Sequence, residues 1–220
     1  MPILRSIQVG MPQQIEEEDD NGVRIWRTGY IKSLVVGRIW LERHNLVGDG
    51  QADKKHHGGL DQALLAYSAD HYDEWNAELG IALPPGAFGE NFTINGLSED
   101  SVCIGDIYAV GEARIQVTQP RQPCANIARR WNNPQLTKRV EQSGRTGWYL
   151  RVLQEGYVEA GLPLALLERP FPKWTITNTH KVIRNRHSNP ASAHELLAVP
   201  ALGARAREIL AHLRPVAANP

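Results

Sequence analysis

The 220-residue sequence predicts a mainly β protein with α additions: a β-rich domain over residues 1–168 and a small three-helix domain over 169–220. Three observations carry this. "DIYAVGEARIQVTQP" (106–120) is a hairpin pattern in which two β-rich segments flank Gly111-Glu112. Helical patterns are few and short before residue 167. The style then changes after "LERPFPKW" (167–174), whose two prolines mark a linker, and three short helical patterns follow.

In chain order, "ILRSIQVG" (3–10) is an apolar-rich strand. "IEEEDDNG" (15–22) is an acidic run ending in the turn pair Asn-Gly, read as a solvated hairpin tip. "VRIWRTGYIK" (23–32) and "SLVVGRIWL" (33–41) are further strands. In the 106–120 hairpin, Ala113, Ile115 and Val117 alternate with Arg114 and Gln116, so one face is buried. "SADHYDEWNAELG" (68–80) is a helix from a Ser cap to Gly80, with Tyr72, Trp75 and Leu79 on one core-facing stripe. "CANIARRWNN" (124–133) and "PQLTKRVEQSG" (134–144) are short helices. Residues 174–186, 190–200 and 201–214 form the C-terminal three, too small to be stable without packing on the main domain.

Composition excludes several classes. Lys+Arg and Asp+Glu both number 24, so no cationic excess favours nucleic acid. Two cysteines make no disulfide framework and point to a reducing compartment. The N-terminal "MPILRSIQVGMP" has no apolar core of a signal peptide, and no apolar run reaches membrane-spanning length, so the expectation is a cytoplasmic protein with no membrane association. There is no G-x-G-x-x-G, no G-x-x-x-x-G-K-[ST] and no G-x-S-x-G, which argues against the common nucleotide loops and the hydrolase elbow.

Four stretches carry candidate chemistry. In "QPRQPCANIARR" (119–130), Cys124 opens a helix pattern behind Pro120, Arg121 and Pro123. A helix N-terminus and a neighbouring cation both favour thiolate, the form required of a nucleophile or a soft-metal ligand. Cys103, between apolar neighbours in "SVCIGD", reads as packing. "VGDGQADKKHHGGLDQALLAY" (47–67) is dense in Gly, Asp and His, but His56 and His57 are adjacent and accompany no zinc spacing. "GAFGENFTINGL" (86–97) places Glu90 and Asn91 in a loop that either faces a ligand or caps itself. Lys32 stands between apolar runs and reads by itself as a strand lysine pointing to water, whereas a phosphate-binding lysine would point into the site.

Taken in order, "TGYIKSLVVGRIWL", "NLVGDGQADKKHHGGLDQALLAY", "FGENFTINGL", "IGDIYAVGEARIQVTQPRQPC" and "SGRTGWYLRVLQEGYV" resemble the MOSC domain family, and within it the YiiM-like proteins; the tail resembles the three-helix domain that follows MOSC in that branch. The resemblance implies a β-barrel core that binds molybdenum cofactor (molybdopterin), with no pyridoxal phosphate. It makes Cys124 the protein ligand to molybdenum and the catalytic residue. It makes Thr28, Lys32, His57, Gly58, Gly59, Asp61, Asn91 and Arg121 cofactor-binding. Leu60, Gln62 and Asn126 depart from the family pattern. The implied activity is reduction of small N-hydroxylated compounds, such as hydroxylamino nucleobase analogues, with electrons from a flavoprotein or cytochrome partner. The alternatives are a cofactor carrier or sulfur-carrier binding module without turnover, and a metal-free thiol enzyme with His57 as base to Cys124.

Overall fold

A computed structural model describes residues 1–19, 22–53 and 58–212. In chain order the elements are β1 (Ile3–Val9), β2 (Gln13–Asp19), β3 (Gly22–Thr28), β4 (Ser33–Leu34), β5 (Ile39–Leu41), a 3-10 turn (Leu60–Gln62), β6 (Leu64–Ser68), α1 (His71–Leu79), β7 (Phe92–Asn95), β8 (Ile107–Val110), β9 (Ala113–Pro120), α2 (Asn126–Arg130), α3 (Leu136–Ser143), β10 (Trp148–Gln154), β11 (Gly156–Val158), β12 (Ala165–Glu168), α4 (Ile176–Arg184), α5 (Pro190–Leu197) and α6 (Ala204–Ala211). Eight strands form one curled sheet, a half-barrel, in the order β12-β8-β9-β10-β6-β7-β1-β4. The protein is mainly β with α additions, as its sequence predicts.

The β8–β9 hairpin turns at Gly111-Glu112, with Val110 opposite Ala113. Ala113, Ile115 and Val117 are buried while Arg114 is exposed. The alternation stops there: Val117 to Pro120 are all buried. The C-terminal helices cause this, because they cover the outer face of β9. Gly203 N donates to Thr118 O (3.0 Å), and Ala206 N donates to the Gln119 side chain (3.1 Å). Ile176, Ile183, Leu196 and Leu210 of those helices belong to the same apolar cluster as Leu4, Ile115 and Trp148 of the sheet. Helices and sheet therefore bury one continuous core across the proline-rich linker.

Gly111 has a φ of +56°, and a Cβ there would lie 2.4 Å from Tyr157 O. Both the dihedral and the contact select glycine. Gly111→Ala is expected to lower stability by about 2 kcal/mol, or about 4–8 °C in thermal midpoint, measured by calorimetry.

Several elements differ from the sequence expectation. The acidic run is strand as far as Asp19: Glu16 and Glu17 pair with Ile25 and Arg24 in the β2–β3 hairpin, while Asp20 and Asn21 lie outside the described residues. The strand predicted at 23–32 ends at Thr28, and the one predicted at 33–41 is split into β4 and β5 around Gly37. Ser68 is not a helix cap, because it ends β6 in register with Ile94 of β7. The helix predicted over 124–133 is the single turn α2. Cross-strand pairing decides each of the first three cases, overriding local propensity. The fourth leaves Cys124 two residues ahead of a helix too short to carry much dipole. Among the described residues, no helix is long and apolar enough to cross a membrane.

Candidate functional site

A cavity of about 360 Å³ opens beside Cys124, between the end of β3, the loop before the 3-10 turn, and the loop from β9 into α2. It brings together six residues singled out from the sequence: Thr28, Lys32, Gly58, Asn91, Arg121 and Cys124. His57 lies outside the described residues. Gly59 and Asp61 do not line this cavity. Asp61 faces the C-terminal helices instead: it pairs with Arg151 (2.9 Å), accepts from Ala204 N (2.8 Å), and its carbonyl accepts from Thr118 (2.7 Å).

The buried floor is a knot of ionic and amide groups. Lys32 and Asp49 form an ion pair with side chains 6% and 0% exposed. Asp49 also accepts from Gly10 N (2.7 Å) and from Asn91 Nδ2 (2.9 Å). Asn91 in turn donates to Gln8 O (3.2 Å) and accepts from Leu65 N (3.1 Å). Asn91 is thus fully engaged in fixing β1 and β6 around the ion pair. Burial pulls the Lys32 ammonium below its ordinary pKa, and Asp49 opposes this. Thr28 is turned inward as well, accepting from Tyr30 N (3.0 Å).

Asp49→Ala strands the Lys32 charge together with two donors, which is expected to cost about 3–5 kcal/mol. The sign with pH follows from linkage. The folded-state pKa of Lys32 lies below the unfolded value of 10.5, and further below it without Asp49. The penalty is complete at low pH, where both states are charged. It is relieved as pH rises through the folded pKa toward 10.5, because the unfolded chain then binds more protons. Thermal midpoints across pH should show the variant recovering part of its deficit at alkaline pH.

Around Cys124 stand Arg121, Tyr30 and Tyr149, all within electrostatic reach of the sulfur. Arg121 is 3% exposed, and its Nη1 has no partner among the described residues. Burial works against the guanidinium charge while Tyr30, Cys124 and Tyr149 favour it, and it stays protonated. Tyr30 donates to Ala87 O (3.0 Å) and is bonded by Arg121. Burial pushes the Tyr30 phenol well up and the Tyr149 phenol up to about 12, with Arg121 pulling both down, so both carry their protons at neutral pH. The Cys124 carbonyl accepts from Thr137 of α3 (3.2 Å) and from Ile127 N (3.2 Å), which fixes the loop.

Tyr30, Asp49, Tyr149 and the rim residues Arg27 and Arg129 went unnoticed in the sequence. Only the Arg129 guanidinium left a readable trace, in the basic stretch after Cys124; it lies 5.7 Å over the Trp26 ring. Glu90 does not face the cavity. It is fully buried and binds Tyr72, Gly86 N (2.8 Å), Phe88 N (3.1 Å) and Thr93 (3.0 Å). Cys103 is buried and bonds the Pro172 carbonyl at 3.5 Å, as packing predicts.

The cavity walls hold four cations (Arg27, Lys32, Arg121, Arg129) against two carboxylates (Asp49, Asp53). No group of three or more His, Cys, Asp or Glu among the described residues is placed to hold a metal ion. One thiol in a cationic pocket suits an anionic ligand, or a metal whose other ligands arrive with it.

The MOSC domain profile matches residues 53–165, a little over half the chain, and takes in the Cys124, Arg121, Asn91 and Tyr149 side of this site. The chain belongs to the MOSC domain family. Within that family it is 39% identical to YflK of Bacillus subtilis, over 90% of this chain and 87% of that protein. It is 39% identical to a reductase of Gibberella moniliformis over 69% of this chain, a match spanning 28% of that longer protein. The crystal structure of YiiM from Geobacillus stearothermophilus superposes with a TM-score of 0.80 at 36% identity, covering 96% of this chain and 98% of that one. The MOSC domain is YiiM-like, and the C-terminal helices fall within the superposed part.

Proposed function

We propose that this MOSC protein is an oxidoreductase that holds molybdenum cofactor through Cys124 and reduces small N-hydroxylated compounds to the corresponding amines or amidines. The observation that carries the reading is Cys124 lining a cavity with four cations and, among the described residues, no companion metal ligands. A molybdopterin brings its own dithiolene sulfurs and its own negative charge, so the residues present fit it: one soft protein ligand, and cations for the phosphate. When bound, the group supplies the two-electron chemistry.

The chain's residues then have these roles. The Cys124 sulfur holds the metal. Arg121, with its unpartnered Nη1, and Lys32 take negative charge deep in the cavity, while Arg27 and Arg129 take it at the rim. Asp49 and Asn91 position Lys32. Tyr149, protonated at neutral pH, is a donor beside the thiol. The reaction balances as R–NHOH + 2e⁻ + 2H⁺ → R–NH₂ + H₂O, with the electrons from a flavoprotein or cytochrome partner.

The test uses protein made in a host that assembles the cofactor. Near-stoichiometric molybdenum and reduction of benzamidoxime with a chemical reductant are expected. Molybdenum without any turnover would leave a cofactor carrier, and neither in a competent host would overturn the cofactor reading.

A further inference from the structure

A second cavity, of about 290 Å³, abuts the first and shares Asp53, Gln62, Cys124 and Tyr149 with it. Its remaining walls are Gln119 on β9, Gln122 and Pro123 in the loop before Cys124, and Arg205 on α6. Cys124 therefore sits where two chambers of different character meet. The first is rich in cations. The second is built around three primary amides, and its arginine is offset by Glu208 at 2.5 Å.

Gln62 is the telling residue. It is 8% exposed, yet its Oε1 has no hydrogen-bond partner among the described residues. A buried amide oxygen without a donor is costly to the folded protein and calls for a ligand that supplies the donor. Gln119 has its own oxygen engaged by Ala206 N, which leaves its NH₂ as the remaining hydrogen-bonding group. The chamber thus offers an amide acceptor and amide donors, with Asp53 as its one carboxylate and without the cation excess of the first cavity. A primary amide makes two parallel hydrogen bonds to an edge that sets an N–H beside a ring or imine nitrogen. A cavity of about 150 Å³ already holds benzene, so a single ring with its substituent fits here.

We propose that this amide-lined chamber is the substrate subsite, that it takes neutral planar groups bearing an N–H next to an sp² nitrogen, and that Gln62 reads that edge. The inference rests on the oxidoreductase reading of Cys124, but it makes a separate claim about binding. It also gives the C-terminal helices a part in the site: α6 fixes Gln119 and walls the chamber with Arg205.

The experiment is calorimetric titration of 2-(hydroxyamino)pyridine, which has the edge, and of N-methylhydroxylamine, which lacks it, onto cofactor-loaded protein with no electron donor present. Gln62→Leu and the more accessible Gln122→Leu are compared with wild type after checking that molybdenum content and thermal midpoint are unchanged. The expected result is about tenfold weaker 2-(hydroxyamino)pyridine binding in each variant, with N-methylhydroxylamine unaffected. Steady-state kinetics should place the loss in KM and leave kcat within about twofold. Wild-type affinity for 2-(hydroxyamino)pyridine in both variants, or equal losses for both ligands, would overturn the subsite even if reduction by the wild type stands. A wild type that binds 2-(hydroxyamino)pyridine through Gln62 but reduces nothing would keep the subsite and remove the oxidoreductase reading.

Discussion

Cys124→Ser, made in a host that assembles the cofactor, is expected to lose molybdenum by at least about tenfold to 100-fold, and reductase turnover with it. The change removes one polarisable sulfur and puts a harder, far less acidic oxygen in its place. No second protein ligand stands ready: among the described residues there is no cluster that would hold a metal in its stead. The fold should hardly notice. The side chain is half-buried, and the Cys124 carbonyl, unchanged by the substitution, holds the loop through Thr137 and Ile127 N. A thermal midpoint near that of wild type, together with a lost metal signal in elemental analysis, is the expected pair. Full retention of molybdenum by the serine variant would exclude Cys124 as the ligand.

A large effect on stability is expected at Glu90. Its carboxylate is fully buried and accepts from four donors: the Tyr72 hydroxyl, Gly86 N, Phe88 N and the Thr93 hydroxyl. Glu90→Leu leaves the Tyr72 hydroxyl, Gly86 N and Phe88 N without this acceptor in a site closed to water, and leaves the Thr93 hydroxyl only the longer bond to Gln8 Oε1 (3.4 Å). The individual losses do not add fully, and a net cost of about 3–5 kcal/mol is expected. That corresponds to a drop in thermal midpoint of about 6–20 °C. Glu90→Gln keeps an acceptor oxygen and should lose roughly half as much. The loop held by Glu90 presents the Ala87 carbonyl to both Tyr30 and Trp131. The leucine variant should therefore also bind less cofactor per folded molecule. A midpoint within about 1 °C of wild type would show that the carboxylate is dispensable.

The β8–β9 hairpin was legible because a two-residue turn and strict alternation say the same thing. The cysteine loop was legible because prolines, arginine and thiol crowd into six residues. Less visible was everything that depends on pairing between distant strands. β6 reads as a continuous apolar run with no period, since it is buried on both faces between β7 and β10. Lys32 reads by itself as facing water and is instead buried, because the residue that turns it inward, Asp49, lies 17 positions away in a loop. Tyr149 is an unremarkable strand residue until β10 is placed beside β9. Asp61 had the right neighbours in sequence and the wrong ones in space: its carboxylate is taken by Arg151 and the start of α6. Glu90 and Asn91 share a motif, but one closes a loop and the other supports the ion pair, a division only the hydrogen bonds reveal.

The strand order also bears on how the protein is made. β10 is inserted between β9 and β6, yet it leaves the ribosome roughly 80 residues after β6, on the order of 4–16 s at ordinary rates of synthesis. Through that interval the nascent chain presents the bare edge of β6, joined by that of β9 for the last part of it, an open template for pairing with other chains. Tyr149 arrives with β10, but Arg205 of α6, the last of the walls around Cys124, follows roughly 50 residues later. A ligand that needs the complete pocket at the thiol can therefore dock only after α6 has been made, and until β10 closes the sheet the half-made chain depends on protection of its open edges.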